Sequence, residues 1–229
     1  MMKFGHIPAI AVLGALTLAT PAIASEQNET ERVDRTVPIR AGGLLTLKNF
    51  SGRVTITGSN RADIAVHAVR RAPRERLDRI KLEISETGSG VLIEANKKDD
   101  NWRERENNVV ETDFDIQVPG DVTLNVDVFS SDVVVKDVRG RQRVKTFSGG
   151  IDVAGAEAAL DAESFSGDIE VKLVQGASAS VDFDSFSGSL RTDVPMSYRS
   201  GNRRRIRGDI GSGGTDYHFK TFSGDVRIR

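Results

Sequence analysis

The chain contains no cysteine. That excludes a disulfide framework, a thiolate-bound zinc and a lipid-bearing N-terminal cysteine, so the fold has only packing and hydrogen bonds to hold it. Aromatic residues are sparse at 6%, with one Trp and two Tyr, and ten phenylalanines make up nearly all of that content. Neither sign of charge dominates: 32 Lys and Arg stand against 33 Asp and Glu. A chain so balanced projects no long-range field toward nucleic acid, and any anionic partner has to be met by a local patch. After residue 25 no apolar run approaches the ~20 residues of a membrane-spanning helix.

The one long apolar run lies at the start. Lys3 gives a positive end, Ile7 to Ala19 an apolar stretch, and Ala22-Ile23-Ala24 a small-x-small cleavage site. Residues 1–24 therefore read as a signal peptide, with the mature chain beginning near Ser25 and exported to the periplasm or cell surface.

A short motif then recurs. Its copies are Phe50-Ser51-Gly52, Phe129-Ser130-Ser131, Phe147-Ser148-Gly149, Phe165-Ser166-Gly167, Phe186-Ser187-Gly188 and Phe222-Ser223-Gly224. From Phe129 onward the phenylalanines are 18, 18, 21 and 36 residues apart, the last being two periods of 18. A fixed period near ~20 marks a solenoid or stacked array. Around Phe147, Val144 and Thr146 alternate before the turn, and Ile151 and Val153 after it. Each unit is thus two short strands joined by a bend, with Gly relaxing the turn and the Ser hydroxyl free to bond its backbone. Stacking such units at ~4.8 Å predicts a buried phenylalanine ladder, with Phe147 and Phe165 on adjacent coils, and a positive φ at Gly167. The alternative is a set of unrelated hairpins in a β-sandwich, because the period is interrupted between Phe50 and Phe129.

That interruption contains a strand at 63–69, a helical turn within 72–79, and two strands at 80–85 and 91–95. A polar stretch at 96–108 holding Trp102 follows, then a strand at 114–118. The expected organisation is a less regular N-terminal β portion, 25–120, and a regular repeat array, 121–229, in one continuous all-β domain of the β-solenoid or β-roll class.

Catalytic chemistry has little to work with. His67 and His218 are far apart, each inside a strand, with no second His at metal-ligand spacing. The Ser-Gly pairs are turn elements and give no nucleophile elbow. Asp152, Asp168 and Glu170 would lie close together on consecutive coils, where carboxylates could act on a glycosidic bond or hold a cation, although alternating solvent-facing charge gives the same list. Gly211 to Asp216 occurs once and reads as a turn, since calcium-binding β-roll turns need stacked copies. Arg203, Arg204, Arg205 and Arg207 form the densest charge cluster and are a candidate anion-binding patch suited to phosphate.

Gly42-Gly43-Leu44 leading to Phe50-Ser51-Gly52, the strand ending Val118-Pro119-Gly120, the successive Ser-Gly units, and Gly211-Ser212-Gly213-Gly214 before Phe222-Ser223-Gly224 together resemble the bacterial family of exported β-strand-repeat proteins known as putative adhesins, a domain of unknown function. The resemblance spans nearly the whole mature chain and implies a β-solenoid with no catalytic motif; Ser131 departs from it, standing where Gly is usual. The expected function is a non-catalytic envelope binding or scaffold protein, without cofactor, whose partner is an envelope protein or a surface polymer. The alternatives are a polysaccharide-acting β-helix enzyme and a self-assembling structural element. The last strand, Asp225 to Arg229, carries charge at every second position; as a bare solenoid end it would resist pairing and keep the protein monomeric.

Overall fold

A computed structural model describes residues 28–97 and 109–229. The expected signal peptide and residues 98–108 of the polar stretch, Trp102 included, lie outside the described residues.

Each repeat is a rung: a strand in one sheet, a bend at the Ser-Gly pair, and a shorter strand in a second sheet. The rungs are β2 (Leu44–Ser51) with β3 (Val54–Ser59), β8 (Thr123–Ser130) with β9 (Val133–Lys136), and β10 (Gln142–Ser148) with β11 (Ile151–Ala154). Next come β12 (Leu160–Ser166) with β13 (Ile169–Lys172), β14 (Ala179–Ser185) with β15 (Leu190–Thr192), and β18 (Thr215–Ser223) with β19 (Val226–Ile228). Neighbouring rungs pair in parallel through both sheets. The pair β6 (Gly90–Lys97) and β7 (Glu111–Pro119) stacks in parallel on β2 and β3.

Antiparallel strands flank both sheets at one end and one sheet at the other, where β15 is the edge strand of the second sheet. In one sheet β4 (Asp63–Ala72) pairs with β7, and β1 (Glu29–Pro38) with β4; in the other, β5 (Lys81–Glu86) pairs with β6, after the short helix α1 (Arg74–Arg79). At the far end the hairpin β16 (Met196–Asn202) and β17 (Arg205–Ile210) pairs with β14.

Rung order in space departs from chain order at both ends. The C-terminal rung β18/β19 inserts between β12/β13 and β14/β15, and β2/β3 sits between β6/β7 and β8/β9. The final strand is therefore not a bare end, as the periodicity alone suggests: β19 is hydrogen-bonded on both sides, to β13 and β15. The monomer expectation built on its exposed charges loses its basis. Charge explains the insertion. With β14 directly beside β12, Glu163 would face Asp184 and Asp161 would face Asp182; β18 interposes Lys220 and His218 between them. Like charges opposite one another destabilise a sheet, and opposite charges stabilise it.

The core lies between the sheets. One inward row reads Leu47, Val126, Val144, Ala162, Phe219 and Phe183, all buried, with the small Ala162 beside the large Phe219. Facing it are Val135, Val153, Val171 and Ile228. Full burial of such side chains contributes about 1.5–3 kcal/mol each. Tyr217 extends the core and donates its hydroxyl hydrogen to the carbonyl of Ala156 at 2.9 Å.

The bends are held by close approach. Gly167 has φ +157°, and a Cβ there would fall on the carbonyl oxygen of Gly149; Gly149 sits likewise against Ser131. At 131, where the repeat has Ser, the side chain is buried and its hydroxyl accepts a hydrogen from Asn49 Nδ2 at 3.4 Å. The residues before the phenylalanines, Thr146, Ser164, Ser185 and Thr221, point inward and are buried. Their hydroxyls bond the bends: Thr146 donates to the carbonyl of Ser131 at 3.3 Å, and Thr221 to that of Gly224 at 3.0 Å.

Candidate functional site

The six motif phenylalanines do form one ladder, in the order Phe50, Phe129, Phe147, Phe165, Phe222, Phe186, with ring centroids 4.6–4.8 Å apart. The repeat predicts a buried ladder, but these rings are exposed. Each ring is 40–56% exposed. Strand alternation gives the reason: with Val144 and Thr146 inward, Phe147 must point out. That alternation is legible in the sequence, and in this sheet it prevails over the general habit of aromatics to be buried.

The rings are close to parallel, 2–15° apart, so their faces cover one another and their edges meet solvent. Such a strip is an apolar rail about 24 Å long over five stacking steps. Along the ladder, the faces between neighbouring rings are taken up by stacking and leave no room for a base. Monomeric surfaces rarely keep so continuous an apolar feature without a binding role. A groove of ≈ 860 Å³ runs along it, lined by the five phenylalanines from Phe129 to Phe186 in the ladder and by Asp127, Lys145, Glu163, Asp184, Arg204, Arg205 and Lys220.

Apart from Arg204 and Arg205 beside the β16–β17 turn, the charged lining comes from the position two residues before each Phe, the next outward site on the strand. Across the sheet this row reads Glu94, Lys48, Asp127, Lys145, Glu163, Lys220, Asp184, Arg205, in register through eight strands. Its signs alternate through these eight strands; at the sheet edges the row continues to Glu83 on β5, opposite Glu94, and to Asn202 on β16, opposite Arg205. Lys145 Nζ lies 2.7 Å from Glu163, Lys48 lies 3.8 Å from Glu94, and Arg205 pairs with Asp184. Burial opposes ionisation of Glu163, but the Lys145 hydrogen bond and the charges of Lys145, Lys220 and Arg143 outweigh it and hold this carboxyl below the ordinary glutamate range.

The arginine cluster ends this face. Arg205 and Arg207 face Asp184 and Asp182, the latter at 3.2 Å, and Arg204 stands 5.2 Å from the centroid of Phe186, capping the ladder by a cation–π contact. Arg203 lies in the exposed turn between β16 and β17.

Of the three carboxylates singled out for hydrolysis, Asp168 serves the fold. Asp168 accepts the backbone N–H of Asp225 at 2.8 Å, as Asp132 accepts that of Gly150 and Asp225 that of Ser189, one rung to the next. Asp152 and Glu170 do lie side by side, on the outer face of the second sheet, with Arg229 paired to Glu170. Burial, then the charges of Glu170 and Asp132, push the Asp152 carboxyl up, against the pull of Arg229. His67 Nδ1 is 2.5 Å from Asp34 Oδ1 across β4 and β1, and His218 lies in β18 between Asp161 and Asp182. Among the described residues no group of three or more His, Asp or Glu could hold a metal ion, and no helix is long and apolar enough to cross a membrane.

No curated protein sequence matches the chain. Among solved structures it is similar to a putative cell adhesion protein of Clostridium sporogenes, with 9% identity, 87% of this chain and 99% of that one covered, and a TM-score of 0.65. A putative adhesin of Bacteroides fragilis (12% identity, 87% and 97% covered) and a putative lipid binding protein of Parabacteroides distasonis (9%, 89% and 97%) superpose with TM-scores of 0.32 and 0.26, too low to support comparison. The first likeness is one of fold. The family profile described as Toastrack DUF4097 matches residues 112–229, a little over half the chain and all of the regular array, and the chain belongs to that family of β-solenoid-like proteins.

Proposed function

We propose that this is an exported, non-catalytic binding or scaffold protein of the bacterial envelope, and that its contact surface is the phenylalanine strip with its charge row. The observation that carries the reading is the continuous exposure of six stacked rings on a rigid sheet. The fold shared with a protein named as a putative cell adhesion protein supports it, as does the leader-like pattern of residues 1–24. Because ring edges and not faces are exposed, an apolar protein surface suits the strip better than a sugar polymer does. Of the four arginines expected to bind an anion, Arg203 and Arg204 are those proposed for that role, since Arg205 and Arg207 face carboxylates. Asp152 and Glu170, on an outer sheet face and partly neutralised by Arg229, suit a scaffold better than a hydrolase.

The test is retention of envelope proteins by immobilised leader-free chain, compared with a Phe147→Ser, Phe165→Ser double variant whose circular dichroism is unchanged. A partner retained by the first and lost by the second supports the strip as contact surface. Equal retention by both, or steady release of reducing sugar from envelope polysaccharide, overturns it.

A further inference from the structure

The partner that the strip fits best is a second copy of this chain; we infer that two copies join face to face about a two-fold axis that runs between β10 and β12. The inference rests on the reading of the strip as a contact surface and names its occupant.

Charge complementarity carries it. A row of alternating charges with an even number of members has opposite signs at positions equidistant from its centre. Such a row is complementary to itself when reversed. The row from Glu94 to Arg205 has eight members, and its centre falls between Lys145 on β10 and Glu163 on β12. Reversing it places Lys145 against Glu163 of the second copy, Asp127 against Lys220, Lys48 against Asp184, and Glu94 against Arg205. Every pair is opposite in sign.

The phenylalanine ladder has the same centre. Phe50, Phe129 and Phe147 lie on one side of it, and Phe165, Phe222 and Phe186 on the other. One axis, lying in the interface across the stacking direction, therefore superposes ring strip on ring strip and charge row on charge row. The next outward row agrees: Arg143 would meet Asp161, Asn125 would meet His218, and no like charges face each other. The other face-to-face two-fold, along the stacking direction, would lay the charge row on the serine turns, where nothing answers it.

Burial of the half-exposed rings would supply the attraction, while the charges fix register and exclude other alignments. A two-fold contact of this kind closes on itself, so it yields a dimer and not a filament.

Sedimentation velocity on the leader-free chain tests it. A dimer is expected for the unmodified protein, with Lys145→Glu and Glu163→Lys each weakening the dimer at least tenfold by setting like charges face to face. In an equimolar mixture of the two variants both facing pairs are again opposite, so a mixed dimer should form with affinity near the original. A role confined to contacts within one chain cannot produce that rescue. If either variant loses its circular dichroism signal, Asp127→Lys and Lys220→Asp form the same test one position out. A mixture that stays monomeric overturns the inference. So does an unmodified chain that is monomeric at about 100 μM; that result leaves the strip open to a different partner, which the envelope retention test decides separately.

Discussion

Phe165 and Phe222 stack with centroids 4.6 Å apart and planes 6° from parallel, although β14, β15 and the β16–β17 hairpin intervene along the chain. The contact exists because the C-terminal rung closes a gap between two earlier ones, completing the ring ladder, the charge row and both sheets at once. Lys220 is the residue at which that arrangement is most exposed to test.

Lys220→Glu places a third acid between Glu163 and Asp184, and stability should fall by about 1–2 kcal/mol, since two attractive neighbours are lost and two repulsive ones gained at roughly a few tenths of a kcal/mol each. Lys220→Gln should cost less than half of that. Urea denaturation of both variants measures the difference, and a change within ~0.5 kcal/mol for the glutamate variant, typical of an ordinary surface site, would contradict the insertion.

Phe165→Ala removes two stacking contacts but only half a ring's burial, so a loss of about 2 kcal/mol is expected. Phe183→Ala, fully buried between the sheets, should cost about 3–5 kcal/mol. Equal losses at the two sites would mean that the ladder is packed as a core.

Gly167→Val combines a backbone conformation that side chains rarely adopt with a collision against the Gly149 carbonyl, and the variant should fail to fold cooperatively. Gly176 also has a positive φ, +77°, but open space around it. Gly176→Ala should cost only about 1–2 kcal/mol, the conformational penalty alone. Thermal unfolding by circular dichroism separates the two.

Glu163 and Asp152 should leave opposite signatures in stability against pH. The Glu163 pKa is held down in the fold, so its stabilising contribution is full above the ordinary glutamate range and is lost as pH falls through the lowered value. Glu163→Gln should therefore be less stable than the parent at neutral pH and converge with it in acid. The Asp152 pKa is raised, so its ionised form works against the fold at neutral pH, and protonation relieves this as pH falls through the raised value. Asp152→Asn should gain about 0.5 kcal/mol at pH 7 and lose that advantage in acid. Chemical denaturation at pH 3.5 to 7.5 reads both curves, and slopes of the same sign would refute the assignment.

Much was decided locally. The two-residue alternation around each Phe-Ser-Gly bend determined strands, bends and inward faces, because side chains on a strand have no freedom to choose another period. The interrupted N-terminal portion was legible for the same reason: strands at 63–69 and 114–118 and a helical turn after residue 72 correspond to β4, β7 and α1. Even the outward aim of the phenylalanines follows from Thr146 and its equivalents pointing in. What only the tertiary structure decided was which rungs are neighbours. A repeat period states that units can stack on one another and is silent about their order, since every rung offers the same backbone edge. The order is set by side chains 36 to 57 residues apart, where Lys220 separates Glu163 from Asp184 and Phe222 fills the step between Phe165 and Phe186. The strip, its charge row and their common centre come into being only with that choice.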